Sequence, residues 1–498
     1  MKRCLLALID GLHPVVGERE LGTGRLPNIA RLIERGGQGR AITSFPSTTS
    51  VSYLPFLTGC LPGRSNVPSI RWLDRAGYRG KWWRDRDAVR SYCGYQAGML
   101  DRDIAPEIRT IFDLIPESAA FFTMITRGLR PEADPTRGAR RFWGAVSHYL
   151  QWHQPGDDSV SRHLLEWIDR DPHWRFLFGQ FPAVDGYTHQ AWPDAPPVLE
   201  ALRRVDQTIG RMVSALDRRG IADDTLILIV SDHGASRVKR HFDLAEWLRL
   251  QGIRSLAHPE LWRRDPTAAV MVAGNGSAMI YARPTESRAE RWSLERLRQP
   301  SAFGASFDVV ARLLQEDPIA FLAAEETPGA IRVAGPDGEA IVREFGNLIE
   351  YAPITGDPLA VGAAAIRDRR GWLDHTFDGA FPDGPVALID QFKSPRTGDL
   401  LAVARKGFDL RDRWEIPEHR SGHGSMIRDH MQVPLWSNQP LPGIPLRTAD
   451  LFPTMLAWLG EPTPPGIDGE LVWRPGDSRP VAEPGVEVHL SPPSFLGS

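Results

Sequence analysis

The chain has 498 residues, of which 42% are hydrophobic and 24% are charged, and its formal net charge is -3. This composition excludes a largely disordered or fibrous protein, and the absence of any long run of Lys and Arg argues against a nucleic-acid-binding surface. The length allows one large core with insertions or two domains, and a small-molecule partner is expected.

Cysteine usage and hydropathy bear on the cellular compartment. Cys4, Cys60 and Cys93 are an odd number at no metal-like spacing, so they predict neither a disulfide framework nor a thiolate zinc site. No segment approaches the roughly 18 uninterrupted apolar residues that a membrane-spanning helix requires. The apolar run at residues 4–9 ends in Asp10 without a cleavage site, which favours a strand over a signal peptide. We expect a soluble, cytoplasmic protein.

Short apolar runs that alternate with helical periodicity predict an α/β fold with a buried parallel sheet. The clearest predicted strands are residues 4–9, 176–181 and 226–230. Residues 160–171 predict a helix before the second strand. Residues 196–220 predict a crossover helix between the second and third strands, with apolar residues at helical spacing and Gly220 as its C-cap.

The regular alternation weakens between about residues 250 and 385, where residues 330–342 predict a hairpin around Pro336-Asp337-Gly338. It returns with a strand at 400–404 and a helix at 449–459, which Gly460 ends. We therefore expect four regions. They are the first part of a catalytic α/β core at 1–245, an inserted and partly antiparallel subdomain at 246–390, the second part of the core at 391–475, and a Pro-rich tail at 476–498.

Three aspartates come directly or closely after the predicted strands. Asp10, Asp185 and Asp232 follow the first, second and third of these strands in that order. Ligands of open parallel sheets bind at the carboxyl ends of the strands, so these side chains should converge. Any one of them alone could simply cap a turn. Three converging carboxylates would repel one another unless cations held them, which favours a metal site.

Histidines near these aspartates support this interpretation. Asp185 and His189 are four residues apart, so on a helical turn their side chains point the same way. Asp232 and His233 are adjacent, and Gly234 allows the chain to turn so that both face one site. Carboxylate oxygens together with imidazole nitrogens suit zinc or manganese.

A further candidate ligand is His423, which lies between Gly422 and Gly424. The flanking glycines would let the backbone approach a ligand closely and leave the imidazole exposed. A histidine between glycines is by itself more often a solvated surface residue. His423 gains weight here because the Asp185 and His189 pair lacks a third ligand.

Hydroxyl residues 47–50 precede the apolar segment 51–59. This arrangement is typical of a helix N-terminus, where free N-H groups favour a phosphate or an alkoxide. An ordinary Ser or Thr N-cap is the alternative. Pro55 indicates that the helix is kinked or short.

Together these motifs resemble the type I phosphodiesterase/nucleotide pyrophosphatase branch of the alkaline phosphatase superfamily. The resemblance covers roughly residues 3–60, 160–240 and 400–470, and the middle of the chain does not match. It implies a three-layer α/β/α sandwich with a mostly parallel central sheet and an inserted smaller subdomain. The matching motifs are Leu8-Ile9-Asp10-Gly11, Phe45-Pro46-Ser47-Thr48-Thr49 with Leu57-Thr58-Gly59, Asp185-Gly186-Tyr187-Thr188-His189, Ser231-Asp232-His233-Gly234 and Gly422-His423-Gly424, with residues 447–459 and Asp468-Gly469 as context.

The resemblance also implies a mechanism, namely two-metal hydrolysis of phosphodiesters or pyrophosphates through a covalent phosphothreonine. Thr49, counted back from Thr58-Gly59, resembles the nucleophile. The metals would be zinc, which the family usually uses, or manganese. Ser52 falls where nucleotide pyrophosphatases carry a phosphoryl-binding Asn, and this departure argues against a nucleotide substrate. One ion would be held by Asp10, Thr49, Asp232 and His233, and the other by Asp185, His189 and His423.

Other readings remain open, including a phosphomonoesterase and a catalytically silent metal-binding relative, although every expected ligand is present. The string Cys60-Leu61-Pro62-Gly63-Arg64 matches a sulfatase motif, but its position after Gly59 argues against that reading. A group of tryptophans and arginines between residues 71 and 86 could line a substrate pocket or simply pack together. The group comprises Arg71, Trp72, Trp82, Trp83, Arg84 and Arg86.

Overall fold

The structure is a computed structural model that describes residues 1–80, 85, 87–286, 288, 290–413, 415–477 and 485–488. In the predicted aromatic and arginine group, Trp82, Trp83, Arg84 and Arg86 lie outside these residues, as does most of the tail 476–498. Among the helices within these ranges, none combines the length and the apolar character that crossing a bilayer would require.

A mostly parallel sheet forms the centre of the described molecule, as predicted. All its pairings are parallel except those of Gln432–Ser437, which runs antiparallel to both of its neighbours. Every residue of Arg3–Ile9 is buried, as expected for an apolar strand covered on both faces. From edge to edge, the strand order is Leu446–Arg447, Gly37–Ile42, Gln432–Ser437, Thr225–Val230, Arg3–Ile9, Phe176–Phe181 and Ser118–Phe121.

Helices cover both faces of this sheet and make the predicted three-layer sandwich. Alternate side chains of the central strand Arg3–Ile9 enter two different hydrophobic cores. One core contains the inward faces of helices Gln154–Arg170 and Pro196–Arg218. The other contains helices Leu54–Thr58 and Leu451–Leu459. The carboxyl edge of the sheet, where ligands bind in such folds, stays free for side chains from the loops.

The predicted strands of the central sheet and the two predicted helices that pack on it are confirmed. The three expected strands are Arg3–Ile9, Phe176–Phe181 and Thr225–Val230, and the two expected helices are Gln154–Arg170 and Pro196–Arg218. The second helix begins with two prolines, whose fixed φ suits a first turn, and its buried residues recur at helical spacing. It therefore crosses over the sheet between two parallel strands, as the periodicity indicates.

A second, mostly antiparallel sheet is built from strands beyond residue 250. The predicted hairpin is confirmed, since Ala330–Gly335 pairs with Gly338–Phe345. Leu400–Ala404 lies in this sheet and not in the central one, between Ser277–Ala282 and Ile319–Thr327. The order is Ser255–Ala257, Ala268–Ala273, Ser277–Ala282, Leu400–Ala404, Ile319–Thr327, Ala330–Gly335, Gly338–Phe345, Leu348–Gly356, Ala365–Asp368 and Glu487–Val488.

The remaining elements are short strand pairs and shorter helices. The strand pairs are Arg71–Leu73 with Val89–Ser91, Ser236–Arg237 with Ser421–Gly422, and Arg240–His241 with Phe408–Asp409. The other α-helices are Pro14–Gly22, Pro27–Glu34, Leu100–Asp103, Ile111–Leu114, Arg137–Leu150, Ala183–Gln190, Leu244–Leu250, Leu294–Arg298, Val309–Leu313, Arg369–Thr376, Gly384–Gln391 and Arg428–Met431. Two of these elements, Ala183–Gln190 and Ser421–Gly422, carry or flank candidate ligands.

Candidate metal centre and nucleophile

The three aspartates singled out from the sequence lie at one edge of the central sheet. Asp10 directly follows the central strand Arg3–Ile9, and Asp232 lies two residues beyond the strand on one side of it. Asp185 lies in the helix that follows the strand on the other side. These three strands are parallel neighbours, so their carboxyl ends share one edge and the aspartates meet there.

The first group of candidate ligands is Asp10, Asp232 and His233. One ligand atom from each lies within 4.8 Å of the others. His233 Nε2 is 3.4 Å from Asp10 Oδ1 and 3.5 Å from Asp232 Oδ2. All three side chains are buried, so their charges are withdrawn from water. Such a set needs a cation or a proton to be stable.

The second group is Asp185, His189 and His423, whose ligand atoms also lie within 4.8 Å of one another. Asp185 and His189 lie one turn apart on the helix Ala183–Gln190, with His189 Nε2 3.1 Å from Asp185 Oδ2. The His423 ring stacks on the ring of His233 with centroids 3.8 Å apart. The two groups therefore adjoin, although His423 lies far along the chain from the other ligands.

Backbone carbonyls orient all three histidines in the same way. The Nδ1 atoms of His233, His189 and His423 lie 3.1, 2.9 and 3.0 Å from the carbonyl oxygens of Gly234, Ser421 and Ser47. A carbonyl oxygen can only accept, so each Nδ1 donates and Nε2 is the nitrogen left for a ligand. Hydrogen bonds of this kind commonly fix the ring orientation of metal-binding histidines.

Burial and mutual repulsion change the acidity of the carboxyl groups. Burial, followed by the charges of Asp232 and Asp185, raises the pKa of Asp10 well above its ordinary value. The same two causes, burial and Asp185, raise the pKa of Asp232 to about 8. Burial opposes the charge of Asp185, but the neighbouring His189, His423 and His233 hold the pKa of that carboxyl well below its usual range. The protein thus disfavours three bare carboxylates at this site.

The residues present fit two divalent cations. Asp232 Oδ2 and Asp185 Oδ1 are buried and have no hydrogen-bond partner among the residues that the structure describes. Unpartnered buried carboxylate oxygens are costly, and a cation would satisfy them. Each group combines carboxylate oxygen with imidazole nitrogen, the donor set that suits zinc and manganese.

The structure distinguishes the two candidate threonines. Thr49 is partly exposed, and its Oγ1 lies 3.0 Å from His233 Nε2 and 3.4 Å from Asp10 Oδ1. Thr48 is fully buried, and its Oγ1 has no hydrogen-bond partner among the described residues. Of these two threonines, only Thr49 therefore presents its hydroxyl to the first ligand group, and its role as the nucleophile stays a prediction.

The segment after Thr49 explains how this hydroxyl is presented. Ser50 has a φ of 71°, an uncommon backbone conformation for a residue with a side chain, and it makes no side-chain cap. A 3-10 turn at Val51–Tyr53 then leads into the helix Leu54–Thr58, with Pro55 in its first turn. The ordinary N-cap alternative is not observed, and the helix is short, as Pro55 indicates.

Ser52, the predicted substrate-binding residue, is buried beneath this turn. Its Oγ accepts a hydrogen bond of 3.1 Å from the backbone N-H of Thr48, while its own N-H donates to the Thr48 carbonyl. The Ser52 side chain thus helps to shape the turn that carries Thr49. Its contact with substrate stays a prediction.

Two residues that the sequence analysis missed hold Asp10. Tyr53 Oη donates to Asp10 Oδ2 at 3.2 Å, and Gln180 Nε2 donates to the same oxygen at 2.6 Å. Gln180 could have been noticed as an amide near the end of the otherwise apolar strand Phe176–Phe181. Tyr53 carries no such signal, because a tyrosine in an apolar segment is ordinarily a core residue.

The second sheet positions the last histidine through the turn Gly274-Asn275-Gly276. Asn275 forms a β-bridge with His423, whose N-H donates to the Gly274 carbonyl at 3.2 Å. The Gly276 N-H donates to the His423 carbonyl at 2.8 Å. A Cβ atom on Gly274 would lie 2.6 Å from His423 Nδ1, so only glycine fits there. No local pattern in the sequence indicates a role for this turn.

Cys60 and Trp72, which support alternative interpretations of the sequence, make the following contacts, all outside the two ligand groups. Cys60 is buried near Thr58 and Asp468, and burial is the main cause that raises the pKa of its thiol to about 12. Trp72 is also buried, and the guanidinium groups of Arg90 and Arg396 lie over its ring. Cys60 thus has the environment of an inert thiol, and Trp72 packs in the interior.

Comparisons with known proteins bear on the family and the fold of the chain. Residues 4–309 match the profile of the family described as type I phosphodiesterase / nucleotide pyrophosphatase. Among solved structures, human ectonucleotide pyrophosphatase / phosphodiesterase 5 is similar over 95% of this chain and 98% of its own, with 13% identity and a TM-score of 0.57. Phosphonoacetate hydrolase from Sinorhizobium meliloti 1021 is similar over 92% and 96%, with 14% identity and a TM-score of 0.55. At such identities these neighbours establish the fold alone.

Curated relatives match over a shorter stretch. GPI ethanolamine phosphate transferase 2 of Yarrowia lipolytica is 24% identical over 98 residues, which are 20% of this chain and 11% of that protein. GPI ethanolamine phosphate transferase 3 of Saccharomyces cerevisiae is 26% identical over 113 residues, or 22% and 11% of the two chains. The chain thus matches about a tenth of the length of these relatives.

Proposed function

Because the chain belongs to the type I phosphodiesterase/nucleotide pyrophosphatase family, we propose that it hydrolyses phosphodiesters or pyrophosphates with two bound divalent metal ions. The observation that carries the proposal is the position of Thr49, whose Oγ1 lies 3.0 Å from His233 Nε2 at the edge of two adjoining ligand groups. Zinc and manganese are the candidate ions, because both bind carboxylate oxygen together with imidazole nitrogen. Zinc is the first candidate, because the family that the chain resembles usually uses it.

Each of the two ligand groups would hold one metal ion. Asp10, Asp232 and His233 would hold one ion together with Thr49 Oγ1. The other ion would be held by Asp185, His189 and His423. When bound, such a pair lowers the pKa of a coordinated hydroxyl and neutralises charge on the phosphoryl oxygens.

Thr49 would act as the nucleophile, and the protein's own residues prepare it for that role. The turn at Ser50 holds its hydroxyl toward the ligand groups, while Tyr53 and Gln180 hold the Asp10 carboxylate beside it. Attack forms a bond between Thr49 Oγ1 and phosphorus and breaks the bond from phosphorus to the leaving oxygen. The threonine proton is lost to solvent, and the leaving oxygen takes up a proton as it departs.

Water would complete the cycle by attacking the phosphothreonine. A bond between the water oxygen and phosphorus forms, the bond to Thr49 Oγ1 breaks, and the threonine regains its proton. Thr49 lies at the edge of the sheet and is partly exposed, so water has access to it. A phosphomonoesterase would use the same steps, and comparing mono- and diesters separates the two activities.

The nucleophile can be tested with a matched pair of adjacent threonines. We expect Thr49→Ala to lose about three orders of magnitude or more in the turnover of bis(4-nitrophenyl) phosphate, because a positioned nucleophile is removed. Thr48→Ala should keep most of the activity, since its hydroxyl faces the interior. Peptide mass spectrometry after acid quenching should find a 4-nitrophenyl phosphoryl group on Thr49, because attack on this diester releases only one 4-nitrophenol and the other stays bonded to phosphorus. Equal losses in both variants, or normal turnover in Thr49→Ala, would overturn the assignment.

The metal requirement has a separate test. Dialysis against a chelator should abolish hydrolysis, and added zinc or manganese should restore it, with elemental analysis giving about two ions per chain. Full activity in protein that elemental analysis shows to be free of metal would rule the two-metal proposal out.

A further inference from the structure

Two of the candidate ligand histidines come from distant segments but lie face to face. His233 belongs to the first ligand group and His423 to the second, and their rings stack with an angle of 16° between the planes. The loops that carry them meet in the short strand pair of Ser236–Arg237 with Ser421–Gly422. Because this pair lies before His423 along the second loop, the chain beyond His423 must be held in another way.

A buried histidine, His430, joins the two loops beyond that strand pair. Its Nε2 atom lies 2.8 Å from Ser236 Oγ. Its Nδ1 atom accepts a hydrogen bond of 3.1 Å from the backbone N-H of Ser425, two residues after His423. A backbone N-H can only donate, so Nδ1 is the unprotonated nitrogen and Nε2 donates its hydrogen to Ser236. The imidazole therefore bridges the two loops with both of its nitrogens.

Burial favours the neutral imidazole that this bridge requires. His430 is 3% exposed, and burial lowers the pKa of its ring to about 3. A protonated ring would carry hydrogen on both nitrogens and would face the Ser425 N-H with a second donor. The neutral ring accepts at one nitrogen and donates at the other, so both of its polar atoms are satisfied in the interior. Neither nitrogen is then left for a metal ion.

The backbone beside His430 also packs against the loop of the first ligand group. The Gly234 N-H donates to the His430 carbonyl at 3.0 Å. A Cβ atom on Gly234 would lie 2.1 Å from the Asp429 carbonyl oxygen, so only glycine allows this approach. Gly234 directly follows the candidate ligands Asp232 and His233. Residues 429–430 therefore lie directly against the turn that presents these two ligands.

Ser425 extends the connection to the segment that carries Thr49. The Ser425 carbonyl accepts a hydrogen bond of 2.9 Å from Ser47 Oγ, and the Ser47 carbonyl accepts one of 3.0 Å from His423 Nδ1. Ser47 lies two residues before Thr49. Through these hydrogen bonds, one imidazole is connected to a loop of each ligand group and to the segment of the candidate nucleophile.

We propose that His430 is a positioning residue that sets the separation of the two metal ions without contacting either, an inference that rests on the proposed function. Two-metal hydrolysis requires the ions to lie about 4 Å apart, so that both act on one phosphoryl group. A backbone carbonyl orients each ligand histidine, but the distance between His233 and His423 follows from the positions of their loops. A ring that bridges these loops at both nitrogens restricts that distance.

Manganese-loaded protein gives a measure of this separation that does not depend on turnover. Two manganese ions about 4 Å apart interact magnetically, so their electron paramagnetic resonance spectrum differs from that of isolated ions. The wild type should show the coupled spectrum. His430→Ala should keep about two ions per chain but lose most of the coupled signal. Its kcat for bis(4-nitrophenyl) phosphate should fall about 100-fold, as for a displacement of the order of 1 Å, while KM changes less than about threefold because both ions still bind the substrate.

Ser236→Ala breaks the same bridge at its other end. We expect kcat to fall about tenfold, because one hydrogen bond is lost. Adding Ser236→Ala to His430→Ala should cause no further loss, since both substitutions break one link. His430→Asn should recover part of the coupled signal, because its Oδ1 can accept from the Ser425 N-H. Ser255→Ala is the matched control and should change neither signal nor kcat, since the buried Ser255 Oγ donates to the Ala245 carbonyl at 2.7 Å.

The outcomes separate the possible failures. A coupled spectrum and a kcat in His430→Ala that match the wild type would overturn the inference. Loss of one ion in that variant would also overturn it, because His430 would then belong to a binding site, and so would additive losses in the double variant. If His430→Ala does not fold, an unchanged spectrum and kcat in Ser236→Ala would refute the bridge. If the manganese-loaded wild type holds no ion pair and hydrolyses no diester, the proposed function itself fails, whereas a coupled pair in an active wild type that neither substitution alters refutes only the positioning role.

Discussion

The left-handed glycine after Asp10 allows a quantitative test of how tightly the metal centre is built. Gly11 has a φ of 69°, and a Cβ atom there would lie 2.5 Å from Asp185 Oδ1 and 3.0 Å from Asp185 Cα. Gly24 has a φ of 70° but would place its Cβ atom with nothing within 4 Å. Alanine substitutions at the two positions therefore share the backbone strain, and only Gly11→Ala adds a clash with a candidate ligand.

The expected magnitudes follow from these contacts. Alanine in the left-handed region costs about 1 to 2 kcal/mol, so both variants should unfold at lower urea concentration than the wild type. Gly11→Ala must also displace Asp185, because Cβ contacts under 3.0 Å are essentially never observed. A displacement of the order of 1 Å at a catalytic centre can reduce kcat/KM about 100-fold, or about 2.7 kcal/mol in the barrier.

The assay is hydrolysis of bis(4-nitrophenyl) phosphate by metal-loaded protein, together with elemental analysis and urea denaturation of each variant. Gly24→Ala should be less stable than the wild type but fully active. Gly11→Ala should be about 100-fold less active and bind the second ion more weakly. If Gly11→Ala matched Gly24→Ala in both activity and metal content, the inference that Gly11 is required by the packing of Asp185 would be refuted.

Two other predictions concern the second ligand group and pH. His423→Ala should reduce the bound metal from about two ions to one per chain while urea denaturation shows a folded protein, and retention of both ions would mean that His423 is not a ligand. In metal-free protein, the pKa of Asp232 is raised to about 8 and the pKa of His189 to about 9. Between pH 7 and 9 these two groups therefore bind more protons in the folded protein than in the unfolded protein. The free energy of unfolding should therefore fall as pH rises through that window, and less steeply in Asp232→Asn. Identical slopes in the variant and the wild type, measured by urea denaturation, would contradict this account.

The convergence of the three aspartates could be predicted from the sequence because it depends on local pattern and one general rule. Apolar runs at residues 4–9, 176–181 and 226–230 predict buried strands, and the carboxyl ends of parallel strands meet at one edge of a sheet. The helix Pro196–Arg218 could also be predicted from the sequence, since its buried residues recur at helical spacing. The family resemblance and the selection of Thr49 over Thr48 followed from motif order in the same linear sequence.

Only the tertiary structure decided what depends on contacts between distant segments. The strand Gly37–Ile42 pairs with Gln432–Ser437, which lies nearly 400 residues further along the chain. This pairing depends on the packing of the whole sheet, and no local signal in the sequence indicates it. Leu400–Ala404 joins the second sheet for the same reason, because an isolated apolar strand does not reveal which edge it will pair with.

The site shows the same division. Aspartates at strand ends can be placed from sequence because the strand itself delivers them to the sheet edge. His423 reaches the other candidate ligands only because Gly274-Asn275-Gly276 of the second sheet supports its loop through a β-bridge and backbone hydrogen bonds between distant segments. Side-chain orientation at Thr48 and Thr49 depends on the strained turn at Ser50. Local pattern thus determined which residues are candidates for the chemistry, whereas long-range packing decided which of their atoms face one another.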